Sequence, residues 1–218
     1  MHPAWSIIFF TSISGLGLGL AGWFVLGLLD LSLFLHLFLA SSAVFGLIGA
    51  GLLSSTLHLG HPERAWRALS QWRSSWLSRE GVLAILVLAS LGCWFAFTLF
   101  FGPPPLWSGI LILLLIVATV YATSMIYGSL KTVACWHHPL TPVCYLMFSA
   151  SGGSVAFLTM LALFGQASPG ILTEITLAFL IGAWILKYAW WWALDNRGSA
   201  SNLETATGLG MIGKVRSL

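Results

Sequence analysis

The chain has 218 residues, of which 58% are hydrophobic and 7% charged. Soluble domains carry about 25% charged residues, so this chain lacks the polar surface to cover a soluble globule. Its formal net charge of +3 is too small and too dispersed to imply a nucleic-acid partner.

A bilayer core about 30 Å thick needs about 20 apolar residues in a helix. Six such runs follow one another, near Trp5–Leu29, Leu31–Leu57, Gly81–Phe101, Leu106–Leu130, Pro142–Phe164 and Ile171–Leu194. Asp30 separates the first two in what reads as a very tight turn. A polar stretch from Gly60 to Arg79 separates the second and third, and Gly102-Pro103-Pro104-Pro105 stops the third. Trp136-His137-His138-Pro139-Leu140-Thr141-Pro142 precedes the fifth, and Gly165 to Gly170 precedes the sixth. The runs have helix lengths, not barrel-strand lengths. The expected fold is therefore all-α, an integral membrane bundle of about six transmembrane helices over 1–195, with a tail over 196–218. The 12 tryptophans and 14 phenylalanines suit a protein with many bilayer interfaces.

Orientation follows from lysine and arginine in short loops. Arg64, Arg67, Arg73 and Arg79 lie between runs two and three, Lys131 lies after run four, and Arg197, Lys214 and Arg216 lie in the tail. The other loops hold neither residue type; their edges carry Asp30 and Glu174. The alternation predicts that both termini and the arginine-rich loop are cytoplasmic. Small residues four apart, Gly15 with Gly19 and Gly46 with Ala50 and Ser54, are candidate helix contacts. Gly17-Leu18-Gly19-Leu20-Ala21-Gly22 matches GxGxxG, but no strand precedes it, so it reads as helix packing and not as a nucleotide site.

Three cysteines, Cys93, Cys135 and Cys144, make no CxxC pair. An iron–sulfur cluster normally needs four thiolates, so none is expected in this chain, and no metal site is expected either. Histidines occur at His36, His58, His61, His137 and His138, but not as a facing pair deep within two runs, which argues against haem.

The densest polar stretch is His58-Leu59-Gly60-His61-Pro62-Glu63-Arg64-Ala65-Trp66-Arg67, continuing through Trp72 and Arg73 to Ser78-Arg79-Glu80. A positive-inside loop with an aromatic belt accounts for its arginines and tryptophans. It accounts less well for His58 and Glu80, which sit at the apolar boundary. A carboxylate there is costly unless it has a partner or a role, although Glu80 would also suit the N-terminus of the third helix, where the dipole favours negative charge. A quinone headgroup needs hydrogen-bond partners for two oxygens, an apolar channel for its tail and a proton donor or acceptor. An interfacial histidine, which titrates near neutral pH, and a nearby glutamate can supply these.

That stretch also resembles a family. His58-Leu59-Gly60-His61-Pro62-Glu63-Arg64-Ala65 with Ser78-Arg79-Glu80 is similar to the signature of the membrane anchor subunits of dimethyl-sulfoxide-reductase-type molybdoenzymes. The fuller Trp72-Arg73-Ser74-Ser75-Trp76-Leu77-Ser78-Arg79-Glu80-Gly81 looks most like the sulfite-dehydrogenase branch. So do Ser124 to Lys131, Trp136 to Leu140 and Glu204 to Gly210. The resemblance implies a three-part complex in a bacterial cytoplasmic membrane. A molybdopterin catalytic subunit would pass electrons to a four-cluster, ferredoxin-like iron–sulfur subunit, and the anchor would exchange them with ubiquinone or menaquinone, without haem. It ties residues at the places of His58 and Glu80 to quinol chemistry, with Arg64, Arg79, Tyr127 and Lys131 as neighbours. Two departures stand out: anchors of the dimethyl sulfoxide branch usually have eight spans, and a longer cytoplasmic tail is expected in the sulfite branch.

The reading is a quinone-reactive anchor working in sulfite oxidation. Open alternatives are the anchor of an S- or N-oxide reductase oxidising menaquinol, a purely structural anchor, and a b-haem anchor. A transporter is disfavoured because the helices show few interior ionisable residues and no broken-helix pair.

Overall fold

The computed structural model describes residues 5–56, 62–133 and 135–196, the side chains of 62–65 and 68 excepted. The tail expected over 196–218 lies outside the described residues beyond Asn196. Six α-helices follow in order: α1 Trp5–Phe24, α2 Phe34–Thr56, α3 Trp76–Phe101, α4 Leu106–Gly128, α5 Leu140–Leu163 and α6 Gly170–Asp195. All six are long and apolar enough to cross a membrane, and no strand occurs among the described residues. The protein is a multi-pass membrane bundle. Its outer faces carry Phe100, Phe101, Leu163, Trp184 and Tyr188, all well exposed on the bare chain and suited to lipid contact.

The glycine-rich α1 is the hub. It packs against α2, α4 and α5, while α3 pairs with α4 and α6 lies on α5. Without strong hydrophobic pressure between helices in lipid, close backbone approach is what favours packing. A Cβ added at Gly17 would come within 2.9 Å of Ile48 on α2. One added at Gly19 would overlap the Ser149 carbonyl of α5 and lie 3.1 Å from Gly153 Cα. Ser149 Oγ also donates to the Gly15 carbonyl at 2.7 Å, and Ser54 Oγ to the Ser6 carbonyl at 2.7 Å, which stitches α1 to α5 and to α2. Gly15 and Gly46, paired by spacing with these contacts, face open space. The α2 contact comes instead through Gly51, where a Cβ would press on Ser14.

The connection at Asp30 is not a tight turn. Helix α1 ends at Phe24 because Gly27 takes a positive φ of 72°, and the link runs from 25 to 33 before α2 begins. Gln166, from the α5–α6 connection, holds this link from both sides. Its Oε1 accepts from the Asp30 backbone N–H at 2.9 Å, and its Nε2 donates to the Asp30 carbonyl at 2.8 Å. The Ser32 N–H donates to Asp30 Oδ1 at 2.9 Å, which holds that carboxyl below the usual carboxylate range. His36 stacks on Phe164 at 4.2 Å beside the same clamp.

At the opposite end, a 3-10 run, Pro62–Gln71, lies against α3. Helix α3 starts five residues before the apolar run, because Ser75 in an extended conformation caps it and accepts from the Ser78 N–H. Glu80 therefore lies more than one turn inside the helix and is not its cap.

Candidate functional site

Glu80 points into the seam between α3 and α4 and is 5% exposed. Its hydrogen-bond partner among the described residues is Thr123, whose Oγ1 donates to Glu80 Oε1 at 3.4 Å. The same Oγ1 lies 3.0 Å from the Thr119 carbonyl and donates there as well. A hydroxyl has one proton, so the two acceptors compete for it. Among the described residues this one long hydrogen bond is what the carboxyl has at that depth.

Tyr127 follows Thr123 by one helical turn on the same face of α4. It stacks on Tyr145 of α5 at 5.9 Å and meets Trp136 edge-on at 5.3 Å. Tyr145 in turn lines a cavity beside Thr11 of α1. One end of the bundle thus gathers Glu80 of α3, Thr123 and Tyr127 of α4 and Tyr145 of α5.

The other residues singled out from the sequence are placed as follows. Arg79 Nε donates to the Trp72 carbonyl at 3.0 Å and its Nη2 to the Arg73 carbonyl at 2.7 Å, with the guanidinium 4.3 Å over Trp76. It ties the loop to the start of α3 and is not bonded to Glu80. Lys131 is exposed past the end of α4. His58 and the side chain of Arg64 lie outside the described residues. Arg67 and Arg73 lie over Trp66 and Trp72, at 5.5 and 5.6 Å, on the exposed side of the loop. His137 Nδ1 lies 2.7 Å from the Gly128 carbonyl, and His138 Nδ1 accepts from the Leu140 N–H at 3.2 Å.

Sequence reasoning missed Thr123 and Tyr145. A signal existed for the first: Thr119, Thr123 and Tyr127 recur every four residues, a polar stripe on one face of an otherwise apolar span.

The family described as DMSO reductase anchor subunit (DmsC) matches residues 1–192. The sequence is 37% identical to the C subunit of sulfite dehydrogenase from Allochromatium vinosum over 173 residues, which are 70% of this chain and 53% of that protein. It is 30% identical to the C component of the anaerobic dimethyl sulfoxide reductase of Escherichia coli K12 over 130 residues, 57% of this chain and 45% of that one. The protein thus spans about half the length of the curated relatives it matches. No solved structure matches it. With a match over almost all the described helices, on a bundle of six apolar spans, the chain belongs to the family of DMSO reductase anchor subunits.

Proposed function

We propose that this chain is the quinone-reactive anchor of a three-subunit molybdopterin oxidoreductase in a bacterial cytoplasmic membrane. Sulfite and water would give sulfate, two electrons and two protons at a molybdopterin subunit. A four-cluster iron–sulfur subunit would carry the electrons to a quinone in the bundle, ubiquinone or menaquinone, which takes two electrons and two protons to become quinol. The exposed Arg67–Trp66 and Arg73–Trp72 pairs suit the docking of the iron–sulfur subunit. The sulfite direction is favoured over S-oxide reduction by the higher identity to the sulfite dehydrogenase relative.

The observation that carries this reading is the buried Glu80, with one long hydrogen bond among the described residues. A carboxyl inside a span is expensive, and such residues tend to mark proton or substrate paths. Thr123 can turn its one O–H donor between Glu80 and the Thr119 carbonyl, so the carboxyl can gain and lose a proton without disturbing α4. His58, two residues beyond the end of α2, is the second proton-handling group on this reading. Arg64, Arg79, Tyr127 and Lys131 would act as neighbours that position the headgroup or balance charge.

Glu80→Gln tests it. Glutamine keeps the shape and still accepts from Thr123, but it cannot carry the proton. Loss of a general acid–base group costs about 10²–10⁴-fold. Quinone turnover by the purified complex should fall by that order, normalised to activity with a soluble dye that draws electrons from the iron–sulfur subunit. Quinone turnover at the wild-type rate would remove Glu80 from the mechanism.

A further inference from the structure

Thr123 faces two ways. Besides bonding Glu80, it lines a half-open cavity of ≈ 440 Å³ bordered by α1, α4, α5 and α6. Ligand pockets typically run about 300–1,000 Å³. Polar groups collect here: Thr11, Ser14, Tyr145, Ser149 and the ammonium of Lys187 all line it. A second cavity of ≈ 270 Å³ lies against the same four helices and shares Leu18, Val120 and Ser149 with the first. Its other walls are apolar, with Trp23, Leu113, Val117, Ile175 and Phe179 among them.

The two cavities differ in depth. At about 1.5 Å per residue, Thr123 and Lys187 lie roughly 8 and 12 Å inside the helix ends that carry the 3-10 loop. Trp23 and Phe179 belong to the other half of the bundle. The polar part is therefore sunk below the helix ends, and the apolar part continues it towards the far side. A phospholipid keeps its charged phosphate at the surface, where burial does not penalise it. A neutral ring with two carbonyl oxygens and one long apolar tail matches a largely apolar chamber with a few hydroxyls on its wall, followed by a wholly apolar one.

Lys187 is the residue with no other assignment. Its Nζ lies 3.8 Å over Trp190 and 5.3 Å from the Trp191 ring centre, residues nearer the helix end than its own backbone, so the side chain snorkels part of the way out and cation–π contact offsets the remaining cost of the charge. Those rings hold the head of the side chain at the cavity wall without hydrogen-bonding it through a carboxylate.

We propose that the two cavities form one quinone site, with the ring between Thr123 and Lys187 and the isoprenoid tail running past Val117 and Phe179. This rests on the reading of the chain as quinone-reactive, and it adds where the ring sits and that Lys187 donates to a ring carbonyl. Glu80 is then one hydroxyl away from the ring, through Thr123, and acts on it from the α3 side.

The test uses the intact complex in lipid nanodiscs. Photoreactive benzoquinone and naphthoquinone probes, each with a short isoprenoid tail, are crosslinked, and the labelled peptides are mapped. Label on α1, α5 or α6 around Gly15, Ser149 and Lys187 is expected, and excess unlabelled quinone should remove it. Two variants are then assayed for quinone turnover normalised to the dye reaction. Gly15→Leu fills the larger cavity, since a Cβ at Gly15 meets nothing within 4 Å. Lys187→Met removes the donor and keeps the length. Each should raise the KM for quinone at least about tenfold, with a smaller change in kcat, the pattern of lost binding. Label confined to the loop before α3, with both variants at the wild-type KM, would overturn the cavity while leaving the chain quinone-reactive. A phospholipid held in the cavity against excess quinone would overturn it too. A wild-type complex that reduces the dye but no quinone would overturn both readings.

Discussion

Gly19→Ala isolates the contact on which the bundle turns. The added methyl overlaps the Ser149 carbonyl and crowds the Gly153 backbone. Neither obstacle is the end of a flexible side chain, so relief requires α1 and α5 to part by on the order of an ångström, as overpacking forces backbone shifts. Overpacking costs about 1–3 kcal/mol, and the upper end applies where only backbone can move. The same parting stretches the 2.7 Å bond from Ser149 Oγ to the Gly15 carbonyl, and interhelical bonds in membranes are worth about 0.6 kcal/mol. The total is about 3 kcal/mol. For a chain of this size that lowers the unfolding midpoint by about 6–12 °C. Cys144 is buried, while Cys93 and Cys135 are exposed. In a Cys93→Ser, Cys135→Ser background, a thiol-reactive dye therefore reports unfolding in detergent through Cys144 alone. Gly46→Ala is the control, because its Cβ would meet nothing within 4 Å. Equal midpoints for Gly19→Ala and Gly46→Ala would refute the close approach of α1 and α5.

Gln166→Leu should free the α1–α2 link, since it removes both hydrogen bonds to the Asp30 backbone. A loss of about 1–2 kcal/mol is expected for two such bonds near the surface, with faster exchange of the Asp30 amide hydrogen; unchanged exchange there would contradict the clamp. Ser75→Ala removes the cap of α3. The 3.5 Å bond to the Ser78 N–H is long, so about 0.5 kcal/mol is expected, the low end for caps, seen as faster exchange at Ser78 with α4 unaffected.

The helix count was legible because each span is a long apolar run with a clear break after it. The boundaries were less so, for two physical reasons. Apolar residues past Phe24 look helical, yet Gly27 turns the chain before they can continue α1. Polar residues from Trp76 to Glu80 look like loop, yet the Ser75 cap starts α3 ahead of them. The small-residue contacts show a further limit. Spacing of four finds pairs on one face, but the neighbouring helix decides which face is the contact. Gly19 meets α5 while Gly15, on the same stripe, opens onto a cavity. Glu80 stood out because a carboxyl at an apolar boundary is conspicuous. Thr123 did not, because a threonine in a span can satisfy its hydroxyl on its own helix, and only the packing of α3 on α4 brings it to Glu80.

The distribution of ionisable groups between the two ends has a consequence for energy conversion. Glu80, Tyr127, Tyr145 and Lys187 belong to the half of the bundle that carries Arg67, Arg73, Arg79 and Lys131. The far end holds Asp30 in an exposed loop and His36 stacked on Phe164. On the proposed reading, the arginine-rich end is cytoplasmic by the bias of positive loops, and the iron–sulfur partner docks there. Electrons then enter the quinone from the cytoplasmic side. Protons enter from the same side, because Glu80 lies only about one and a half turns inside α3 from that end. No relay of ionisable side chains crosses to the far end among the described residues. Moving a charge across the membrane potential is worth about 2.3 kcal/mol per 100 mV, and on the proposed reading electrons and protons that reach the quinone from one side neither store nor spend that energy directly. The quinol itself, neutral and tail-bound in lipid, is what carries the electrons onward.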